Sequence, residues 1–235
     1  MAAPPAFFAS PNAAPTRLRV QPRLASWMAA GHRDQVRLGA FLADAEELTQ
    51  SQLEGLANPL ALSLEVGLPE DTSLLDEHDL DNYVFPLVSR LSRRGERHFA
   101  AVFCTKQYAD ASYISVAEAL PIERKVSDGW YEIQTTASSE SAVFKQQIHD
   151  QLRGAFPLRE GAVALHLSFT VGPTRNWLNL WKPTIDALER ILGSSSLQRQ
   201  WHPRDGRIVE LGLHCRRDPA IGNNVVIGID ATAVD

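Results

Sequence analysis

The sequence is short of cysteine. Only Cys104 and Cys215 occur among 235 residues. No CxxC spacing joins them, which excludes a zinc framework and a dense disulfide scaffold. Each lies in an apolar, strand-like run, Val102-Phe103-Cys104 and Leu213-His214-Cys215, and both are read as buried reduced thiols. They occupy similar places in the two halves of the chain, so a bridge between them stays open, although a cytosolic setting counts against it. Long apolar runs are missing too. No stretch reaches the roughly 18 residues needed to cross a bilayer, which argues against a membrane protein. Met1-Ala2-Ala3-Pro4-Pro5 lacks the positive segment of a secretion signal, so the expected location is the cytoplasm. There is no GxGxxG, no P-loop, no GxSxG and no HExxH, which leaves a small-molecule enzyme without support. The seven histidines are scattered, and none pairs with another His or a Cys at ligand spacing. His166 and His214 fall on strand-like runs and are read as structural.

A surplus of basic residues is absent as well. The net charge is −5, so a nucleic-acid footprint would have to be local. The charge is uneven. Residues 1–121 hold 10 basic and 15 acidic residues, while residues 122–235 hold 13 of each. Glu65 to Asp81 contains seven carboxylates and no Lys or Arg. Two Arg-rich stretches oppose it: Arg90, Arg93, Arg94 and Arg97, then Arg199, Arg204, Arg207, Arg216 and Arg217.

What is present is a pattern written twice. Arg17 to Gln21 alternates as an edge strand. Val36, Leu38, Phe41, Leu42, Ala45 and Leu48 fall at helical spacing over 33–55. Leu60 to Leu68 is an apolar strand closed by Pro69. An acidic loop follows, then a helix capped by Asp81 or Asn82 and running to Leu91. Phe99 to Thr105 and Tyr113 to Ala119 complete the half. The second half replays the order: strand 130–134, helix 139–154, strand 162–171, helix 180–192 stopped by Gly193, and strands 207–215 and 224–230. Gln21 then matches Gln134, and Asn82 matches Asn179. The expected class is α+β, with helices on one face of a small mixed or antiparallel sheet in each half. Residues 1–15 read as a flexible lead-in, 16–120 as the first repeat, 121–128 as a linker and 129–235 as the second repeat.

The strongest chemical signal is Asp79 and Asp81. Carboxylates at i and i+2 in extended chain entering a helix point to one side, within reach of one Mg²⁺. An acidic surface loop with a helix cap is the alternative. In the second half Asn176 and Leu178 stand where the aspartates would be. Lys182 and Asp186 form an i,i+4 pair, and Asp205 precedes the strand Arg207-Ile208-Val209-Glu210-Leu211. Trp177 and Trp181 either stack on bases or fill the seam between the halves.

His78-Asp79-Leu80-Asp81-Asn82, with Lys182, Asp186-Ala187-Leu188 and Asp205 later, resembles the RusA family of Holliday-junction resolvases. Those are small homodimeric endonucleases that use an aspartate cluster with Mg²⁺, and a helix lysine, to cut branched DNA. The resemblance covers most of residues 16–235. It implies two tandem RusA-like repeats packed as a pseudo-dimer. Its catalytic set would be Asp79, Asp81, Lys182 and Asp205, with Asp79 and Asp81 holding Mg²⁺. Arg175, Arg204, Arg207, Arg216 and Arg217 would hold DNA phosphates. The chain departs from the pattern at Phe85, where the family has Lys, and at Ser89, where the helix Asp falls. The second half lacks both paired aspartates. Two readings follow: a branched-DNA-binding protein, with Mg²⁺-dependent cutting if its composite site is not degenerate, or an inactive pseudo-resolvase that engages a protein partner.

Overall fold

The computed structural model describes residues 5–25, 28–29, 31–93, 97–125, 127, 129–196 and 198–234. The chain is α+β, built on one eight-stranded sheet that is mostly antiparallel. Its elements in chain order are β1 (Phe7–Phe8), β2 (Thr16–Arg17), α1 (Arg33–Glu54), β3 (Leu60–Leu68), α2 (Leu80–Ser92), β4 (Phe99–Tyr108), β5 (Tyr113–Glu118) and β6 (Pro121–Ile122). They continue with β7 (Trp130–Thr135), α3 (Ala142–Gln151), β8 (Val163–Val171), α4 (Trp181–Asp186), α5 (Glu189–Leu192), β9 (Ile208–Arg217) and β10 (Val225–Ala233). Among the described residues no helix is long and apolar enough to cross a membrane.

The strand order is β2-β5-β3-β4-β9-β8-β10-β7. A separate small sheet in each half was the sequence expectation. Instead β4 and β9 pair antiparallel, with Phe103 opposite Gly212, and join all eight strands. Apolar side chains at alternate positions explain the layering. Leu60, Leu62, Leu64 and Val66 of β3 join one large core with the buried sides of the helices, including Phe41, Val84, Leu87, Phe144 and Ile185. The other face of β3 and β4 presents small residues, Ala61 and Ala101, to Phe8.

The N-terminal segment is therefore not a free lead-in. Residues 1–4 lie outside the described residues, but Phe7 and Phe8 are buried and pair with Pro121 and Ile122. The Phe8 amide donates to His214 Nδ1 (3.3 Å), and Ser168 Oγ donates to the Ala6 carbonyl (2.9 Å). His166 and His214 lie buried on this face, their nitrogens 3.3 Å apart, with His166 also 3.1 Å from Glu210. Burial pulls the His214 imidazole down to about 3, so it packs as a neutral ring. The linker is likewise tied down: Arg124 and Ser127 both bind Asp230. Linker residues 126 and 128 lie outside the described residues.

Three local departures have physical causes. The edge strand stops at Arg17 because the amides of Arg19 and Val20 donate to the Asp44 carboxylate of α1, at 2.8 and 3.1 Å, instead of extending a ladder. Gln21 thus falls outside a strand, while Gln134 lies inside β7. The helix expected over 180–192 is a 3-10 turn, Trp177–Leu180, followed by α4 and α5. Between them the amides of Ala187 and Leu188 bond to Thr184 and Ile185, three residues back, and both side chains are fully buried. In α2, Pro86 cannot donate to the Asn82 carbonyl. The Ala25 amide takes that acceptor at 2.8 Å, which docks the segment before α1 onto α2. Both cysteines are buried and free.

Candidate metal centre

Four segments distant in sequence meet where the end of β4 runs beside the start of β9. They are the loop after β3, which ends at Asp79 and enters α2 with Asp81 in its first turn; Lys106 of β4; α4, with Lys182 and Asp186; and the short turn Asp205–Arg207 before β9. The buried Lys106 ammonium ties them. It donates to the carbonyls of Glu77 (2.9 Å), His78 (3.1 Å) and Gly206 (2.5 Å). His78 adopts φ 66°, a left-handed conformation uncommon for a side-chain-bearing residue. Its Nδ1 lies 2.5 Å from the Tyr83 hydroxyl, over which its ring stacks, and this holds the loop in register.

Gly206 is where the two chain segments touch. A Cβ there would come within 2.6 Å of the Asp76 carbonyl carbon and oxygen, so only glycine lets the Asp205 turn lie against the acidic loop. Gly206→Ala is expected to part the segments and weaken Mn²⁺ binding by about 10-fold or more, read by titration, with the far-ultraviolet circular dichroism unchanged. Lys106→Met leaves three carbonyls without their partner and should cost about 2–4 kcal/mol of stability, measured by urea unfolding.

One carboxylate oxygen from each of Asp79, Asp81 and Asp205 lies within 4.8 Å of the others. Asp81 is buried and the other two are half-buried. Lys182 Nζ stands 2.7 Å from Asp205, 3.1 Å from Asp186 and 3.8 Å from Asp79. Lys145 of α3 reaches Asp186 at 2.6 Å. Burial pushes the Asp81 carboxyl up to about 7; Lys182 opposes that rise, and Asp79 and Asp205 add to it. Burial, then Asp205, also raises Asp79. Burial draws Lys182 down, but Asp81, Asp205 and Asp186 outweigh it and hold the ammonium above the ordinary lysine range. Burial pulls Lys106 down to about 8 despite Asp79 nearby. The donor set is all oxygen and rich in negative charge, which fits a hard divalent cation. Asp79, Asp81 and Asp205 can therefore bind a metal ion.

The chain matches no protein-family model and no curated protein.

Asp79, Asp81, Lys182 and Asp205, expected as the catalytic set, do come together. The arginines expected on DNA do not form one surface. Arg207 is 2% exposed, and its guanidinium donates to the carbonyls of Gly161, Leu192 and Arg159. It is a structural pin rather than a phosphate ligand, because those donors are spent inside the fold. Arg204 pairs with Glu160 at 2.6 Å, and Arg175 donates to the Ala137 carbonyl at 2.8 Å. Arg216 and Arg217 line a different cleft, together with Arg97; Arg94 lies outside the described residues. Trp177 and Trp181 fill the seam. They meet edge to face with ring centres 4.8 Å apart, and Trp181 meets Phe85 of α2 at 6.4 Å. Sequence reasoning missed Lys106, Gly206 and Lys145. A signal existed for the lysines: the chain has only four, Lys106, Lys125, Lys145 and Lys182, and three of them gather at this cluster.

Proposed function

We propose that the chain is a divalent-metal-dependent, structure-selective DNA endonuclease of RusA-like kind. In this reading it is two tandem repeats that pack as a pseudo-dimer and pool one site. The observation that carries it is the meeting of Asp79 and Asp81, from residues 16–120, with Asp205 and Lys182, from residues 129–235. Neither half alone offers three acids and a lysine.

The strand registers support the duplication. From opposite edges, β2-β5-β3-β4 and β7-β10-β8-β9 run in the same order with the same parallel and antiparallel senses. Both parallel ladders carry an irregularity after their first pair, at Leu60/Ala61 and at Val163/Ala164. Ala101–His214 and Thr105–Glu210 fall symmetrically about Phe103–Gly212. Pro86 follows Asn82 by four residues, as Pro183 follows Asn179.

Magnesium suits the site, with Asp79, Asp81 and Asp205 to hold it. When bound, it supplies Lewis acidity for in-line attack on a phosphodiester. Lys182, kept charged by its acidic neighbours, offsets negative charge growing on the phosphoryl oxygens. Lys106 and Gly206 position the acids.

Purified protein with Mg²⁺ is expected to cut a four-way DNA junction and to leave a linear duplex of the same sequence intact. A junction still whole after long incubation with Mg²⁺ or Mn²⁺ overturns the catalytic reading. Junction binding with steep salt dependence would then mark a non-cutting binder. No DNA binding at low salt would leave a protein partner for the acidic loop.

A further inference from the structure

A second cleft, opposite in charge, lies where exchanging the two halves would carry the metal centre, and residues of both halves line it. It has a volume of about 660 Å³ and is bordered by Arg97, His98, Arg216 and Arg217. No carboxylate lines it among the described residues. The strand registers relate the strands of the two places residue by residue. Leu60–Phe99 corresponds to Val163–Ile208, which sets Cys215 where Lys106 stands. In the sequence match that sets Asn179 on Asn82, Asn176 and Leu178, which line the cleft, stand where Asp79 and Asp81 do. Here two of the three carboxylates have become an amide and a leucine, and the buried lysine has become a thiol.

What replaced them is cationic. Arg216 carries a buried Nη2 with no hydrogen-bond partner among the described residues, a donor whose desolvation goes uncompensated. Arg217 is exposed and anchored by a hydrogen bond to the Pro173 carbonyl. Behind the basic rim lies an apolar floor that includes Val88, Phe99 and Trp177. Guanidinium groups recognise phosphate through paired donors, and the volume accommodates a nucleotide-sized segment.

We propose that this cleft grips a second strand of branched DNA by its phosphates without cutting it, so that the protein nicks one strand while holding another. The choice of DNA as the polymer rests on the nuclease reading above; the basic cleft itself does not.

Fluorescence anisotropy of a labelled four-way junction tests this, using the full chain with Ca²⁺ in place of Mg²⁺. The wild type is compared with the double variant Arg97→Gln/Arg216→Gln between about 50 and 200 mM salt. The double variant is expected to lose about 10-fold or more in affinity and to flatten the slope of log K against log salt by about two. Mn²⁺ binding at the acid cluster should stay unchanged. If thermal melting shows the double variant unfolded, Arg97→Gln/Arg217→Gln carries the same expectation. Wild-type affinity and slope in a folded variant would overturn the proposal while leaving Mg²⁺-dependent cutting intact. Loss of affinity in the variant, beside a wild type that binds but never cuts, would uphold the grip and sink the nuclease. A wild type that prefers an acidic peptide such as polyglutamate to the junction would overturn the grip.

Discussion

Asp79→Asn and Asp205→Asn should each reduce junction cleavage by about 10²–10³-fold or more, although the two residues belong to different halves of the chain. The reason is geometric. Their carboxylates lie within 4.8 Å of one another and of Asp81, so removing either takes a ligand from the same ion. An amide keeps the shape and one oxygen but loses the charge that holds a hard cation. Asp79 and Lys182 also face each other at 3.8 Å, so Lys182→Met should slow cleavage from the opposite direction, by removing the positive charge beside the phosphate. The check is single-turnover cleavage of a four-way junction at saturating protein. Equal losses in the two aspartate variants are expected, with binding retained in Ca²⁺. A defect confined to Asp79→Asn would mean that the second half contributes nothing.

The second large effect is an inversion of stability with pH. The Asp81 carboxyl sits near 7 in the fold, against an ordinary value of 3.8, chiefly because it is buried. Below 3.8 it carries a proton in both the folded and the unfolded chain. Between 3.8 and 7 only the folded state keeps the proton, so stability falls as pH rises through that window, and the loss is complete above 7. The amplitude is up to about 4 kcal/mol for a shift of this size. Asp79 is shifted the same way. Between pH 5 and pH 8 the metal-free wild type should therefore lose melting temperature relative to Asp81→Asn, which shares the opposing gain from the depressed His214 imidazole. Adding Mg²⁺ or Mn²⁺ should restore the loss at pH 8 and do little at pH 5, where protons compete for the ligands. Asp81→Asn should remove this falling component from the pH profile and abolish the metal effect. Metal-free wild type and Asp81→Asn that follow the same pH profile from pH 5 to pH 8 would contradict this account of Asp81.

Much of the frame was legible because it is local. Leu60 to Leu68 is apolar on nearly every residue and lies between Pro59 and Pro69, so a buried strand was readable with its ends, and the structure places β3 at Leu60–Leu68. The periodicity of Val36 to Leu48 located α1, which spans Arg33–Glu54. The acid pair was legible as a candidate because two carboxylates at i and i+2 can reach one ion, while a surface loop with a helix cap uses the same residues and only the fold brings Asp205 to them. What stayed hidden depends on pairing between distant strands. Nothing near Lys106 says that it will face the carbonyls of Glu77 and Gly206, because that depends on β4 meeting β9. Arg207 looked like a free cation beside others, and only the fold shows it pinned to three carbonyls. Phe7 and Phe8 sit in an Ala- and Pro-rich stretch that reads as loose chain, yet a patch of alanines on the far face of the sheet leaves room to bury Phe8. The break of the expected helix after Asp186 was hidden for a similar reason: Ala187 and Leu188 suit a helix, and core packing turns the chain there.

One shared ion for both halves of the chain is the claim on which these expectations rest, and its most direct measurement is a Mn²⁺ titration followed by electron paramagnetic resonance at pH 8. The wild type should bind a single tight ion per chain. That ion should be lost in Asp81→Asn, from the first half, and equally in Asp205→Asn, from the second, with both variants folded. Tight binding that survives Asp205→Asn, or a wild type that binds no ion at millimolar Mn²⁺, would contradict the account.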